Sequence, residues 1–219
     1  MLWHAARLDD LPRGVAWLTV KEREALARFT VPKRRADWLL GRWAAKRLFV
    51  LAGEAAREAD VSVLASASGA PGALVGWKES PLALSLTHSH GVAVAALGPA
   101  GARVGVDLEK IEERPVSFLG DWFTEAEQAF VAAAEAPPLA ATLAWSAKEA
   151  VMKALREGLR IPAKKVEVAP EPGPADGAWR PFAARGPGAE TWNGWWRTLD
   201  GFVLSAVADP RSGPPSRIG

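Results

Sequence analysis

The segment GPAGARVGVDLE (residues 98–109) marks the point at which one series of predicted helices and strands ends and a second begins. A helical region, residues 19–52, comes first and is followed by short strand-like runs. GPAGA interrupts that pattern before RVGVDLE starts a new strand, and the order of helices before strands then repeats. The sequence therefore predicts an α+β protein of two linked halves, residues 1–101 and 102–219, although no repeat is visible in residue identities.

The segments on either side of this boundary carry the usual signals of regular structure. Apolar residues at helical spacing within residues 19–52 form one stripe, and Thr124 with Glu127 has the pattern of a capping box at a helix start. The predicted strands are GALVGW, LALSLTH, VAVAAL, RVGVDLE, KVEVA, TWNGWWRTL and FVLSAVA. The Gly- and Pro-rich residues 170–190 are expected to form loops and short strands without a chemical role.

The composition describes a chain that can fold around a sizeable core. Of its 219 residues 49% are hydrophobic, which excludes disorder of the whole chain. The chain has no cysteine, so disulfides and thiolate metal sites are excluded and a reducing cytoplasm is the expected location. Neither a signal peptide nor a membrane-spanning segment can be identified, and a formal net charge of +2 gives no general attraction to nucleic acid.

Two carboxylates lie on one side of the predicted strand VGVDLEK. Side chains alternate along a strand, so Asp107 and Glu109 share a face while Val106 and Leu108 point to the other. Carboxylates this close repel each other unless a proton or cation lies between them, and Mg²⁺ commonly takes one or two carboxylates together with phosphate oxygens and waters. The pair indicates a Mg²⁺ and phosphate site; an exposed strand with alternating apolar and acidic residues is the alternative.

A predicted helix carries a second set of charged residues in WSAKEAVMKALREG, residues 145–158. Helical spacing places six residues on one connected face: Trp145, Lys148, Glu149, Met152, Lys153 and Arg156. Glu149 and Lys153 are neighbours there, and a solvent-exposed ion pair contributing about 0.3–0.5 kcal/mol is the simplest interpretation. The large indole one turn earlier instead indicates that this face is covered, which favours groups that bind a ligand.

Hydroxyl and imidazole groups end another predicted strand, in SLTHSHG (residues 85–91). Such groups, together with the backbone N–H groups of a turn, can donate hydrogen bonds to phosphate, which makes Thr87 and His88 candidates. Zinc binding by His88 and His90 is the alternative, but two histidines with no third nearby ligand form a poor site. His90 is expected to be structural.

The helical segment PKRRADWLLGRWAAKRLF (residues 32–49) carries a line of basic side chains. Arg35, Arg42 and Lys46 are separated by seven and four residues and therefore share a face, here called the basic stripe. Gly41 in the helix interior costs about 1 kcal/mol relative to alanine, and close approach of a ligand or another backbone would explain it. The stripe indicates binding of one phosphate group; a solvated face or a nucleic-acid surface that uses the interleaved tryptophans are the alternatives.

In this order, SLTHSHG, VGVDLE and WSAKEAVMK resemble the three signature motifs of the 4'-phosphopantetheinyl transferases, specifically the long, surfactin-synthetase-activating type. RRADWLLGRWAAKRL resembles the basic N-terminal helix of the same group. The resemblance covers residues 32–157 with motifs, and the remaining C-terminal part only by the order of its elements. The ordered pair of GVDLE and WSAKEAVMK is its most specific part.

The resemblance implies both a fold and an activity. The fold would be a pseudo-dimer of two similar α+β subdomains, each a helix-covered small antiparallel sheet, with the active site in the cleft between them. The enzyme would transfer the phosphopantetheine group of coenzyme A to a serine of an apo acyl or peptidyl carrier protein and release 3',5'-adenosine diphosphate. It would require Mg²⁺, act as a cytoplasmic monomer, and bind neither nucleic acid nor membranes.

The resemblance also implies roles at the reacting end of coenzyme A. Asp107, Glu109 and Glu149, here called the carboxylate cluster, would hold Mg²⁺ against the pyrophosphate. Lys153 would bind phosphate and support catalysis, and Lys148 is a further candidate for binding coenzyme A. Glu149 is expected to be the general base for the serine hydroxyl, with a metal-bound water oriented by Glu109 as the alternative.

At the other end of coenzyme A, the resemblance implies a site for the ribose 3'-phosphate. The candidates are Arg35, Arg42, Lys46, Thr87 and His88. Thr87 stands where many relatives have serine, and it keeps the hydroxyl. A nonenzymatic coenzyme A or nucleotide-binding module is the alternative function, but such a module would not need three converging carboxylates.

Overall fold

The computed structural model describes residues 1–66, 69–157 and 160–219 and confirms a mixed α+β fold. The chain forms two compact units, residues 1–102 with 215–219 and residues 103–214. The helices are α1 (Val20–Leu26), α2 (Pro32–Leu51), α3 (Val116–Trp122), α4 (Glu125–Ala132) and α5 (Pro137–Ala154). The strands are β1 (Leu2–Arg7), β2 (Val61–Ala65), β3 (Pro71–Val75), β4 (Lys78–Glu79), β5 (Leu82–Ser89), β6 (Val92–Ala100), β7 (Arg103–Lys110), β8 (Glu167–Pro170), β9 (Arg180–Arg185), β10 (Thr191–Leu199), β11 (Phe202–Asp209) and β12 (Ser216–Arg217). Within the described residues, no helix is long and apolar enough to cross a membrane.

The first unit is built around α2 and a four-stranded sheet with the order β12-β1-β6-β5; a smaller sheet has the order β2-β3-β4. The predicted apolar stripe of α2 lies in this core, where Leu40, Ala44 and Leu48 are fully buried. The continuous helix predicted for residues 19–52 is wrong at residues 27–31, between α1 and α2. Pro32, which has no backbone N–H to continue a helix, instead begins α2.

In the second unit, α5 covers a five-stranded antiparallel sheet with the order β7-β11-β10-β9-β8. Its small residues allow close packing on β7 and β11. The predicted capping box begins α4: the Glu127 N–H donates to Thr124 Oγ1 at 3.3 Å, and the Thr124 N–H donates to Glu127 Oε2 at 2.8 Å. This prediction is confirmed.

Short strand-like runs in the sequence predicted most of the sheet strands. Each predicted strand overlaps a strand of the structure, whereas β1, β2 and the two-residue strands β4 and β12 were not predicted, and β9 lies in the segment 170–190 that was expected to form loops and short strands. The predicted break at residues 98–102 is shorter than expected, because β6 continues to Ala100 before Gly101 turns the chain with a φ of 76°. Strands β4 and β12 are two residues long, which is too short for a periodicity to be recognised.

Gly105 on β7 lets the backbone of α5 lie directly on the sheet. A Cβ atom at this position would come within 1.8 Å of the Ala150 carbonyl oxygen and 2.8 Å of the Ala154 nitrogen. A Cβ atom at Gly41 would meet no atom within 4 Å among the described residues, so the predicted approach of another backbone is wrong, whereas the approach of a ligand stays a prediction. The close contact of helix and strand belongs to the second unit, where it sets the distance between β7 and α5.

Each unit contains the same buried ion pair between two helices. In the first unit, Glu22 on α1 accepts hydrogen bonds from Lys46 Nζ at 2.5 Å and from a backbone N–H of β2 at 2.9 Å. In the second unit, Glu127 on α4 lies 2.8 Å from Lys148 Nζ and accepts a hydrogen bond from a backbone N–H of β8 at 2.8 Å. All four charged side chains are buried.

This equivalence shows a sequence repeat that the order of elements did not reveal. The two lysines end the segments WAAK (residues 43–46) and WSAK (residues 145–148), and both glutamates close a T-x-x-E capping box. The prediction that no repeat is visible in residue identities is therefore wrong. The residue after the lysine is Arg47 in the first unit and Glu149 in the second, so this position carries a carboxylate in the second unit alone.

Candidate active site

Strand β7 and helix α5 carry the charged residues of the candidate active site. Asp107 lies between two buried apolar residues of β7, and its Oδ1 accepts a hydrogen bond from Lys153 Nζ of α5 at 2.7 Å. Lys153 also donates to the Val106 carbonyl oxygen at 3.1 Å. The Ser146 hydroxyl of α5 donates to the Asp107 carbonyl oxygen at 3.2 Å. The structure thus joins the motifs VGVDLE and WSAKEAVMK through direct hydrogen bonds.

Glu149 lies one helical turn before Lys153 and interacts with the charges of β7. Burial raises the pKa of Glu149 to about 7, with further increases from Asp107 and Glu109 and an opposing decrease from Lys153. Burial and the Asp107 charge also raise the pKa of Glu109. The carboxylate cluster is therefore electrostatically coupled, and a proton or a cation would stabilise it.

Glu109 has a cationic partner that lies outside the sequence motifs. Arg114 Nη2 donates to Glu109 Oε2 at 3.0 Å, and Arg114 Nη1 lies 3.4 Å from Glu112 Oε1. The guanidinium also lies 5.2 Å from the ring of Phe118. A hydrogen bond from Trp145 lowers the pKa of Glu109, which gives the indole a function on this face. A basic residue shortly after the paired carboxylates is the weak sequence signal for Arg114.

The carboxylate cluster fits a hard cation by its donor chemistry rather than by a closed geometry. In the parts of the chain that the structure describes, no three His, Cys, Asp or Glu side chains are arranged to hold a metal ion. Mg²⁺ needs only one or two protein carboxylates, because waters and substrate phosphates complete its coordination. Asp107, Glu109 and Glu149 supply oxygen ligands of this type. The zinc alternative at His88 and His90 gains no third ligand within the described residues.

Lys148 does not lie on the face that carries Glu149 and Lys153. Lys148 and Met152 are fully buried, and the Lys148 ammonium donates to the Ala163 carbonyl oxygen at 3.0 Å. The common face predicted for these residues is wrong. Helix α5 is covered by the sheet and also by other elements of its unit, so residues on more than one side of the helix are buried.

The basic stripe of α2 is divided among three environments, and the structure does not bring its three cations together. Lys46 is fully buried in its ion pair with Glu22. Arg35 Nη1 donates to the Leu26 carbonyl oxygen at 3.1 Å, so it binds the C-terminal end of α1. Arg42 is the member of the stripe that lines a cavity.

The cavity beside Arg42 has a volume of about 600 Å³ and is here called the arginine pocket. Arg28 and Arg34 also line it, together with Trp38, whose ring centre lies 4.2 Å from the Arg42 guanidinium carbon. Burial lowers the pKa of Arg42 to about 10, and its buried Nε has no hydrogen-bond partner among the described residues. A concave site with several guanidinium groups and an indole suits an anionic, partly aromatic ligand.

The histidine motif forms the end of a β-hairpin. Thr87 is buried on β5, whereas His88 is exposed on the same strand. His90 and Gly91 connect β5 to β6 with φ angles of 47° and 76°, as a tight two-residue turn requires. The Ser89 hydroxyl lies 3.0 Å from His90 Nδ1. His90 thus shapes the turn that presents His88.

Two sequence-family models match this chain. The model of the 4'-phosphopantetheinyl transferase superfamily matches residues 103–180, which include the carboxylate cluster and Lys153. The model of the 4'-phosphopantetheinyl transferase N-terminal domain matches residues 22–98, which include the arginine pocket and His88. The chain belongs to the 4'-phosphopantetheinyl transferase superfamily. A comparison with curated proteins finds no match.

Membership in the 4'-phosphopantetheinyl transferase superfamily confirms the resemblance seen in the three motifs, and the N-terminal domain is typical of the long type. It also indicates an enzyme that transfers phosphopantetheine. The match to residues 103–180 contains both β7 and α5, whose hydrogen bonds join the two motifs. The family assignment and the local geometry therefore indicate the same part of the second unit.

Proposed function

We propose that this 4'-phosphopantetheinyl transferase moves the phosphopantetheine group of coenzyme A to a serine of an apo acyl or peptidyl carrier protein in a Mg²⁺-dependent reaction. The observation that carries the proposal is the convergence of Asp107, Glu149 and Lys153 between β7 and α5. A protein that only binds coenzyme A needs cations for its phosphates, but it does not need coupled carboxylates beside a lysine. These groups suit phosphoryl transfer at a metal.

The proposed reaction exchanges one phosphoester bond for another. The serine oxygen forms a bond to the phosphorus of phosphopantetheine while the bond from that phosphorus to the bridging oxygen of the pyrophosphate breaks. The serine proton passes to a base, and 3',5'-adenosine diphosphate leaves with the bond electrons. Negative charge develops on the phosphate oxygens, so positive groups around them lower the barrier.

The charged residues of β7 and α5 have distinct proposed roles. The carboxylate cluster would hold Mg²⁺, which when bound supplies positive charge to the pyrophosphate oxygens. Lys153, which donates to Asp107 in the structure, would donate to a phosphate oxygen of the bound substrate. Glu149 is the proposed general base, because a pKa of about 7 leaves a substantial ionised fraction near neutral pH while keeping the group basic enough to accept the serine proton.

The arginine pocket is the proposed site of the ribose 3'-phosphate. Arg42 supports this proposal because its Nε is buried without a hydrogen-bond partner among the described residues, and a phosphate oxygen would satisfy it. Arg28 and Arg34 add positive charge at the same cavity. Thr87 and His88 remain candidates for this end of coenzyme A.

Lys46 and Lys148 have no place in this proposal for ligand binding. Each ammonium is fully buried and forms an ion pair within its own unit. Binding a phosphate would require breaking that pair and leaving a buried glutamate without its cation, which is strongly unfavourable. Their proposed function is therefore structural or positional.

Intact-mass spectrometry of apo carrier proteins tests the proposed function. Wild-type protein with coenzyme A and Mg²⁺ should add one phosphopantetheinyl group to an accepted carrier and none to a carrier whose acceptor serine is replaced by alanine. Asp107→Ala should lose most turnover, whereas Asp9→Ala, which removes an exposed carboxylate in the first unit, should retain it. If carriers from fatty-acid, polyketide and peptide synthesis all stayed unmodified, the proposal would be wrong.

A further inference from the structure

The Lys148 ammonium uses its hydrogen-bonding capacity entirely within the second unit. It lies 2.8 Å from Glu127 Oε2, donates to the Ala163 carbonyl oxygen at 3.0 Å, and donates to the Val166 carbonyl oxygen. A lysine ammonium has three N–H donors, so these three acceptors account for all of them. The side chain is fully buried, and burial lowers its pKa while Glu127 raises it.

Glu127 extends this connection to two further elements. Its carboxylate accepts hydrogen bonds from the Thr124 N–H at the start of α4 and from the Val168 N–H on β8, each at 2.8 Å. Lys148 therefore ties α5 to α4, to the segment around residues 163–166 and to β8. These connections lie on a different side of α5 from its contact with β7.

Helix α5 packs closely on β7 through small apolar residues, and the approach of Ala150 to Gly105 is part of this packing. Its polar contacts with β7 include the hydrogen bond from Ser146 to the Asp107 carbonyl oxygen at 3.2 Å, the ion pair of Lys153 with Asp107 at 2.7 Å and the hydrogen bond from Lys153 to the Val106 carbonyl oxygen at 3.1 Å. Apolar packing is less directional than hydrogen bonding, so it defines the rotation of a helix less sharply than fixed polar contacts do. The contacts of Lys148, on another side of α5, are directional because their acceptors are fixed in the backbone and in a buried carboxylate.

We propose that Lys148 is a positioning residue that fixes the rotation of α5 and thereby holds Glu149 and Lys153 against Asp107. The proposal rests on the proposed phosphopantetheinyl transfer. A side-chain group lies about 5–6 Å from the axis of its helix, so a rotation of about 10° moves it by about 1 Å. A displacement of about 1 Å can reduce the rate of an enzyme by about 10²-fold.

Three roles of Lys148 give different experimental results. If Lys148 bound a phosphate of coenzyme A, replacing it would lower the affinity for coenzyme A. If its ion pair with Glu127 were purely structural, removing the pair would lower stability without affecting turnover of the folded protein. A positioning residue would lower kcat far more than it weakens coenzyme A binding, because the arginine pocket is intact while Glu149 and Lys153 are displaced from the geometry that the reaction needs.

The decisive variant is Lys148→Met/Glu127→Gln, compared with Lys148→Met alone. Methionine keeps most of the apolar stem, and glutamine keeps a carbonyl oxygen for the Val168 N–H, so the double variant removes both buried charges together. Such replacements are often neutral for stability, whereas the single variant leaves Glu127 charged and buried. Urea unfolding establishes that the proteins compared are folded. Phe49→Leu, a truncation of a buried side chain in the core of the first unit, is the control for loss of stability alone.

Calorimetric titration with coenzyme A and steady-state transfer to an apo carrier provide the two measurements. For the double variant we expect a Kd for coenzyme A within about threefold of wild type and a kcat reduced by about tenfold or more. Phe49→Leu should show wild-type kcat at a temperature where it is folded. A kcat within twofold of wild type in the double variant, or a tenfold weaker Kd with unchanged kcat, would overturn the positioning role. Wild-type protein that modifies no carrier would instead overturn the proposed function itself.

Discussion

Lys46 and Glu22 form an ion pair of 2.5 Å in which both side chains are fully buried. Lys46 also donates to the Trp17 carbonyl oxygen at 3.0 Å, so its ammonium is held by two acceptors of the first unit. Burial lowers the pKa of Lys46, and the Glu22 charge raises it. The pair stabilises the protonated lysine inside the protein, which differs from the role in phosphate binding predicted for the basic stripe.

We expect Lys46→Met to lower the free energy of unfolding by about 3 kcal/mol, because Glu22 would stay buried without its cation. Lys46→Met/Glu22→Gln should recover most of this loss, since both charges are then removed and the amide oxygen can still accept from β2. Urea unfolding measures both effects. If Lys46→Met kept wild-type stability but bound coenzyme A more weakly, the ligand role predicted from the sequence would stand instead.

Replacing Gly105 or Gly41 by alanine should change the stability of the protein in opposite directions. Gly105→Ala should destabilise the protein by about 1–3 kcal/mol or more, because its Cβ would overlap the Ala150 carbonyl oxygen at 1.8 Å and push α5 away from β7. Gly41→Ala should stabilise it by about 0.5–1 kcal/mol, because the new methyl group meets no atom of the described residues within 4 Å and alanine favours the helix. Thermal and urea unfolding of the two variants give the comparison, and a stabilising Gly105→Ala would contradict the described packing of α5.

The raised pKa of Glu149 predicts how stability depends on pH in the protein without metal. A carboxyl whose pKa is higher in the folded than in the unfolded state stabilises the fold below the unfolded value, and this contribution is lost as the pH rises through the folded value. For Glu149 the loss falls between the ordinary value of 4.5 and about 7. The raised pKa of Glu109 makes stability depend on pH in the same direction.

Glu149→Gln should therefore remove part of this pH dependence. Relative to wild type, the variant should gain stability at about pH 8 and lose that advantage at about pH 5, where wild-type Glu149 is protonated. Urea unfolding in the presence of a chelator at the two pH values measures the difference. Mg²⁺ added at about pH 8 should stabilise wild type more than the variant. An advantage of the variant that does not change with pH would show that Glu149 titrates normally.

The local motifs of the candidate site could be predicted because each lies on one periodic element. Alternation along β7 placed Asp107 and Glu109 on one face, and the i,i+4 spacing on α5 made Glu149 and Lys153 neighbours. The pairing of Asp107 with Lys153 depends instead on how α5 lies on β7. Gly105 controls that distance, and a glycine within a strand pattern does not indicate which backbone approaches it.

The buried lysines could not be predicted from helical periodicity, because a charged side chain on a helix is usually solvent-exposed or aimed at a ligand. Lys148 is buried because Glu127, on the preceding helix, supplies a carboxylate inside the core. Lys46 is buried for the same reason, because Glu22 on the preceding helix supplies a carboxylate inside the core. The capping box of Glu127 was visible in the sequence, but one carboxylate oxygen can both cap its own helix and receive a lysine, and only the tertiary structure shows the second contact.

Replacing Arg42 tests whether the protein recognises the whole coenzyme, including its 3'-phosphate, or only the pyrophosphate. If the arginine pocket binds the ribose 3'-phosphate, Arg42→Ala removes a charge-assisted hydrogen bond worth about 1.5–3 kcal/mol and should weaken coenzyme A binding by about tenfold or more. The affinity for dephospho-coenzyme A should change little, because that ligand lacks the 3'-phosphate. Calorimetric titration of both ligands measures the difference. Lys33→Ala is the matched control: this lysine lies on the same helix, but its side chain is 84% exposed and outside the pocket. Equal weakening of the two ligands by Arg42→Ala would exclude the pocket as the site of the 3'-phosphate.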